Sequence, residues 1–179
     1  MNIASLISIS RIILIFPIIY LSYLENYYAN FFAFFLFILA GLTDFFDGFI
    51  ARKTNTETKL GALLDLLADK LLVCTLLIWL ATIYDILSIT LPVIIIISRE
   101  LIISSLRQFS FEQNQNSLRV SMMGKSKTTL QIISIAALII TLNFQGFLLL
   151  LSILILWIAT LLSILSLFDY LRSAYKEFY

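Results

Sequence analysis

The chain has 179 residues, 61% of them apolar and 13% charged, with a mean hydropathy of +1.02; soluble domains run at about 45–50% apolar and about 25% charged. A water-soluble fold of this length would have too little polar surface to cover its core, so the composition predicts an integral membrane protein. The 12 Lys/Arg balance 11 Asp/Glu and there is no histidine, which argues against a nucleic-acid partner and excludes His-ligated metals, Ser-His-Asp triads and imidazole bases.

In chain order the apolar runs predict six transmembrane helices, near Ile7–Leu24, Asn30–Ala51, Gly61–Ala81, Ile86–Leu106, Thr128–Leu142 and Phe147–Leu167. The fifth is the shortest. No small-residue cleavage site follows the first run, so it is expected to be retained as a span rather than removed as a signal peptide. The single cysteine, Cys74, sits in an apolar run and has no intrachain partner. No long linker and no internal repeat divides the chain, which predicts a single membrane domain over 1–179.

The connectors alternate in charge. Glu25–Tyr28, Thr82–Asp85 and Asn143–Gly146 hold no Lys or Arg, whereas Arg52, Lys53, Lys59, Arg107, Arg119, Lys125, Lys127, Arg172 and Lys176 fall between or after the other spans. Arg11 lies near the N-terminus, and Lys70 and Arg99 sit inside runs, in the halves assigned to the same side. The positive-inside rule makes that side cytoplasmic and puts both termini there. Tyr27, Tyr28 and Tyr84 suit the outer interfacial belt. Trp79 and Trp157 are expected to pack or to sit at an interface, and Ala40 and Gly41 to mark a close helix contact.

Four acids interrupt this pattern: Asp44, Asp47, Asp65 and Asp69. A carboxylate at the bilayer centre costs roughly 2.5–3.5 kcal/mol on the insertion scale. Asp44 and Asp47 are three apart and Asp65 and Asp69 four apart, so each pair shares a helix face. Measured from the loop that joins their helices, Asp44 and Asp69 both lie about 12 Å deep at 1.5 Å per residue. A tight antiparallel hairpin would bring all four together. Four converging carboxylates need cations, and a site with neither His nor Cys suits two hard divalent ions, Mg²⁺ or Mn²⁺.

The neighbours of these acids favour a phosphate-bearing substrate. Gly48, Ala51 and Gly61 leave room for a ligand to approach the backbone, and Arg52 supplies a forked donor for phosphate oxygens. Such a site can clamp a diphosphate for in-line displacement at phosphorus. Two other readings stand beside this one. The acids could pair with Arg52, Lys59 and Lys70 as interfacial salt bridges, or they could line the path of a small cation or proton transporter.

The pattern Asp44-x₂-Asp47-Gly48-x₂-Ala51-Arg52-x₈-Gly61-x₃-Asp65-x₃-Asp69 resembles the complete signature of the CDP-alcohol phosphatidyltransferases. The resemblance implies a six-helix bundle of that type, usually a homodimer among membrane lipids, with its site open to the cytoplasm. It implies that Asp44, Asp47 and Asp65 hold metal and that Asp69 is chiefly the base for the acceptor hydroxyl, with metal contact as well. Gly48, Ala51, Arg52 and Gly61 would line the cytidine diphosphate pocket, with Thr43 beside them. The donor would be a CDP-linked lipid such as CDP-diacylglycerol, and CMP would leave.

Three further segments resemble the members of this family that use sn-glycerol 3-phosphate as acceptor. They are Asn2–Arg11 with Pro17, Arg99-Glu100-x₃-Ser104-x-Leu106-Arg107, and Gly124-Lys125-Ser126-Lys127-Thr128-x₂-Gln131. Ala4, Ser5, Leu66 and Gln108 depart from residues common there, and the last span is merely hydrophobic. Charge favours an anionic acceptor independently: Arg99, Arg107, Arg119, Lys125 and Lys127 crowd the cytoplasmic end of spans four and five, where they could hold a phosphate and orient the hydroxyl. The same residues could instead be membrane anchors, and Arg99 with Glu100 a structural ion pair. Phosphatidylglycerol, serine and inositol phosphate remain as alternative acceptors.

Overall fold

A computed structural model describes residues 3–24, 26–54, 59–112, 122–144 and 146–178. They form six α-helices: α1 Ile3–Tyr23, α2 Tyr27–Thr54, α3 Lys59–Tyr84, α4 Leu87–Glu112, α5 Met122–Ile140 and α6 Phe147–Phe178, with a 3₁₀ turn over Thr141–Asn143. The fold is therefore all-helical, as the apolar runs require. α1, α3, α4 and α6 contain apolar stretches of membrane-spanning length, while those of α2 and α5, Tyr27–Thr43 and Lys127–Asn143, are shorter. The outer surface is apolar: Phe16, Tyr28, Leu87 and Phe147 each lie more than two-thirds exposed. Serines, threonines and two arginines are buried instead. That inverted distribution belongs to a chain whose solvent is lipid.

Neighbouring helices close a ring in the order α1, α2, α5, α6, α4, α3, and α5 also touches α3 across the middle. Two seams show how the sequence specifies it. Ser8, Arg11, Ile15, Ile18 and Ser22 are buried along α1. Ser152, Leu156, Ala159, Ser163, Ser166 and Tyr170 are buried along α6. Alternating steps of three and four place each set on one stripe. Small residues let the helices approach, and hydroxyls such as Ser22, Ser152 and Thr160 donate to carbonyls of their own helix, Ile18 at 2.8 Å, Leu148 at 3.0 Å and Leu156 at 2.8 Å. The last span is thus more than hydrophobic.

The main apolar core joins Ile15, Ile18, Phe37, Leu76, Leu80, Ile96, Ile135 and Leu156. It fills the half of the bundle distal to the acidic signature. At that distal end Asp85 turns the chain from α3 to α4 at φ 47°, a left-handed conformation that Asp tolerates better than most residues, and Gly146 enters α6 at φ 90°. Tyr84 reinforces the same end, donating to the Leu138 carbonyl at 2.8 Å beside the Thr141 hydroxyl.

α2 and α3 each pack on α1, and the side chains of 44–60, on either side of the loop that joins α2 to α3, lie outside the described part. One expectation is corrected. Ala40 is buried, but a Cβ built on Gly41 would meet nothing within 4 Å, so no close helix contact explains that glycine.

Candidate active site

Asp65 and Asp69 lie one turn apart on α3 and share a face, as the spacing predicts. Both carboxylates engage a side chain from α1. Arg11 Nη2 donates to Asp65 Oδ1 at 2.6 Å, and Arg11 Nη1 donates to Asp69 Oδ1. The guanidinium is 0% exposed, whereas the two aspartate side chains are 43% and 47% exposed. The pair therefore has a closed side, occupied by Arg11, and an open side.

Asp44, Asp47, Gly48, Ala51 and Arg52 follow one another along the last turns of α2; their side chains lie outside the described part. Thr43 precedes them, and its hydroxyl donates to the Ala40 carbonyl at 2.8 Å. Gly61 stands one turn before Asp65 on α3. Among the described residues, Lys70 pairs with neither Asp65 nor Asp69. It donates to the Ser104 hydroxyl on α4.

A second charged group lies where α4, α5 and α6 meet. Arg99 Nη1 donates to Glu100 Oε1 at 3.0 Å, Arg99 Nη2 donates to Ser166 Oγ on α6 at 2.8 Å, and Lys127 on α5 donates to the same Glu100 Oε1. Tyr170 places its ring 5.9 Å from the Arg99 guanidinium carbon. Arg99 and Lys127 are each only 4% exposed. Ser104 connects this group to α3, because it accepts from Lys70 and donates to the Glu100 carbonyl at 2.5 Å. Arg107 and Lys125 lie on α4 and α5 with side chains outside the described part, and Arg119 lies outside the described residues.

Sequence reasoning therefore anticipated the shared face of Asp65 and Asp69 on α3 and the Arg99–Glu100 pair. It missed Arg11 as the neighbour of those two acids, Ser166 as a partner of Arg99, and the bond between Lys70 and Ser104. No local sequence signal marks Arg11; in the structure Ser8 and Arg11 continue the buried seam of Ile15 and Ile18 toward the polar end.

The sequence profile of the CDP-alcohol phosphatidyltransferases matches residues 1–165. The chain belongs to that family. Several curated relatives are similar from end to end, and each carries the name CDP-diacylglycerol–glycerol-3-phosphate 3-phosphatidyltransferase. The protein from Wigglesworthia glossinidia brevipalpis is 37% identical over 100% of this chain and 98% of its own length. The Yersinia enterocolitica protein is 38% identical over 99% of this chain and 97% of its own length. The Escherichia coli K12 protein is 37% identical over 97% of this chain and 94% of its own length. As a CDP-alcohol phosphatidyltransferase, the chain is a membrane-embedded enzyme. Its donor set fits a hard divalent cation: Asp65 and Asp69 are carboxylates with partly exposed side chains, and the chain holds no histidine. Among the described residues these two acids have no third metal-ligating side chain close by; Asp44 and Asp47 are the signature's other two carboxylates.

Proposed function

We propose that the protein transfers the phosphatidyl group from CDP-diacylglycerol to sn-glycerol 3-phosphate, giving phosphatidylglycerophosphate and CMP. The similarity over nearly the whole length to relatives bearing that name carries the reading. It is supported by the intact eight-residue signature from Asp44 to Asp69 and by the paired carboxylates on α3. We further propose that all six helices span the cell membrane within one domain, with both termini and the site on the cytoplasmic side, in a homodimer.

In this reading Asp44, Asp47, Asp65 and Asp69 hold two divalent ions, Mg²⁺ or Mn²⁺. Bound there, the ions would neutralise the diphosphate and stabilise charge as the bond to CMP breaks. Gly48, Ala51 and Gly61 leave space for the cytidine diphosphate, Arg52 donates to it, and Thr43 lies alongside. Asp69 takes the proton from the acceptor's primary hydroxyl as its oxygen attacks phosphorus. Arg107, Arg119 and Lys125 receive the acceptor phosphate, and Arg99 and Lys127 back that pocket from their buried positions. Fixing the phosphate aims the hydroxyl, and orientation removes much of the barrier in a reaction of two substrates.

The test offers purified protein CDP-diacylglycerol and Mg²⁺ with glycerol 3-phosphate, serine, inositol phosphate or phosphatidylglycerol in separate reactions, and reads CMP and the lipid product by mass spectrometry. Turnover with glycerol 3-phosphate alone is expected. Turnover with a different acceptor would overturn the substrate assignment and leave the carboxylate chemistry in place. Absence of CMP from folded protein with every acceptor would overturn the reading.

A further inference from the structure

We propose that Arg11 is the positioning residue of the α3 carboxylates: a fixed guanidinium behind Asp65 and Asp69 that sets which edge of each carboxylate faces the open side. The proposal rests on the reading of those two acids as metal and base residues.

Arg11 occupies an unusual place for a cation. It lies eight residues into α1, which begins at Ile3, and is fully buried. An arginine serving only as a membrane anchor turns its flexible stem toward the interface and leaves its head in water. Arg11 turns inward. An unpaired buried cation within a membrane helix is costly, and the acids of α3 offset that cost.

The geometry separates two possible uses of this charge. A guanidinium standing in for an absent divalent ion would occupy the open side, where an ion enters, and would leave when one arrived. Arg11 instead occupies the closed side: it is 0% exposed while the acids it binds are 43% and 47% exposed. It also uses two different nitrogens, Nη2 on Asp65 and Nη1 on Asp69, and takes Oδ1 of both. A planar fork that grips two carboxylates one turn apart fixes their separation and rotation, which a lysine, as a single point charge, cannot do. Partners of this kind orient metal ligands, and their replacement typically costs about 10–100-fold in metal affinity or activity.

Arg11→Lys keeps the charge and removes the fork. Mn²⁺ binding, read by electron paramagnetic resonance in detergent without substrates, is expected to weaken about 10–100-fold with little change in the apparent Tm. With Mg²⁺ raised until it saturates the variant, kcat is expected to fall while the KM for CDP-diacylglycerol changes little. Mn²⁺ affinity and kcat within twofold of wild type would reduce Arg11 to a counter-charge and overturn the proposal. Asp65→Asn is the parallel control. If it binds Mn²⁺ as wild type does, the metal reading fails and takes the proposal with it; if it loses Mn²⁺ while Arg11→Lys does not, only the proposal fails.

A measurement on the unaltered protein covers the case in which Arg11→Lys does not fold. Arginine-directed dicarbonyl labelling, read by peptide mass spectrometry, should leave Arg11 unmodified with and without Mg²⁺. Labelling of Arg11 that appears on adding Mg²⁺ would show that the ion displaces it, and would overturn the proposal.

Discussion

The indole Nε1 of Trp157 on α6 donates to the main-chain carbonyl of Ser88 on α4 at 3.0 Å. Pro92 lies four residues after Ser88 inside α4, and its ring nitrogen carries no hydrogen to return to that carbonyl. In lipid no water replaces the missing bond, so a neighbouring helix supplies it. The tryptophan therefore closes a gap that proline opens, and in doing so it sets the register of α6 on α4.

Trp157→Phe should lower stability by about 1 kcal/mol, the usual worth of one hydrogen bond, and reduce the apparent Tm in detergent. Adding Pro92→Ala should recover most of that loss, because the alanine N–H satisfies the Ser88 carbonyl from within α4. Equal losses from Trp157→Phe in the proline and alanine backgrounds would show that the indole acts by packing alone.

Glu100 compensates two buried cations at once through Oε1. Glu100→Ala leaves Arg99 and Lys127 in a low-dielectric interior without that carboxylate, and breaking a buried pair in this way costs about 3–5 kcal/mol. Glu100→Gln keeps an acceptor oxygen and should lose less. Lys127→Met in the Glu100→Ala background should recover part of the loss, as one uncompensated charge is then removed. Thermal unfolding of the four proteins checks the order. Equal stability of Glu100→Ala and wild type would mean that water or lipid phosphate already serves both cations.

What was legible in the sequence follows from local spacing. Helix count, the shared faces of the two acid pairs and the Arg99–Glu100 neighbours all depend on residues within one or two turns. Arg11 was not legible as a site residue, because its partners Asp65 and Asp69 lie 54 and 58 positions away and a basic residue near a span's end already satisfies the positive-inside pattern. The buried hydroxyls of α6 were hidden for a different reason. A few serines and threonines among leucines and isoleucines leave the mean hydropathy of a long helix high, so the polar stripe of Ser152, Thr160, Ser163 and Ser166 was lost in an apolar average. The packing of α1 on both α2 and α3 is likewise a tertiary arrangement with no spacing signal.

Tyr84 provides a control for effects that travel only through the fold. Its hydroxyl joins the end of α3 to the end of α5 through Leu138 and Thr141, in the half distal to the acids. Tyr84→Phe should cost about 1 kcal/mol, seen as a lower apparent Tm, while kcat and both KM values stay at wild-type levels. A changed KM would mean that the distal end is coupled to the site.

Arg107→Ala and Lys125→Ala test the acceptor pocket. Each should raise the KM for glycerol 3-phosphate about tenfold, the loss expected when a charge-assisted hydrogen bond worth about 1.5–3 kcal/mol is partly replaced by water, with little change in the KM for CDP-diacylglycerol. Steady-state kinetics with each substrate varied in turn decides it. Parallel changes in both constants would count against an acceptor-phosphate role.

Asp69→Asn is the sharpest test of the chemistry. Asparagine keeps the shape of the side chain and an oxygen that can still accept from Arg11, but its amide is too weak a base to take the hydroxyl proton. General-base catalysis contributes about 10²–10⁴-fold, so CMP release should fall by at least about a hundredfold, while binding of a labelled CDP-diacylglycerol stays near wild type if Asp44, Asp47 and Asp65 hold the ions that grip the diphosphate. A near-normal rate would assign the base to another residue. Loss of lipid binding together with turnover would make Asp69 chiefly a metal ligand, and the proton would then have to leave by a different carboxylate of the signature.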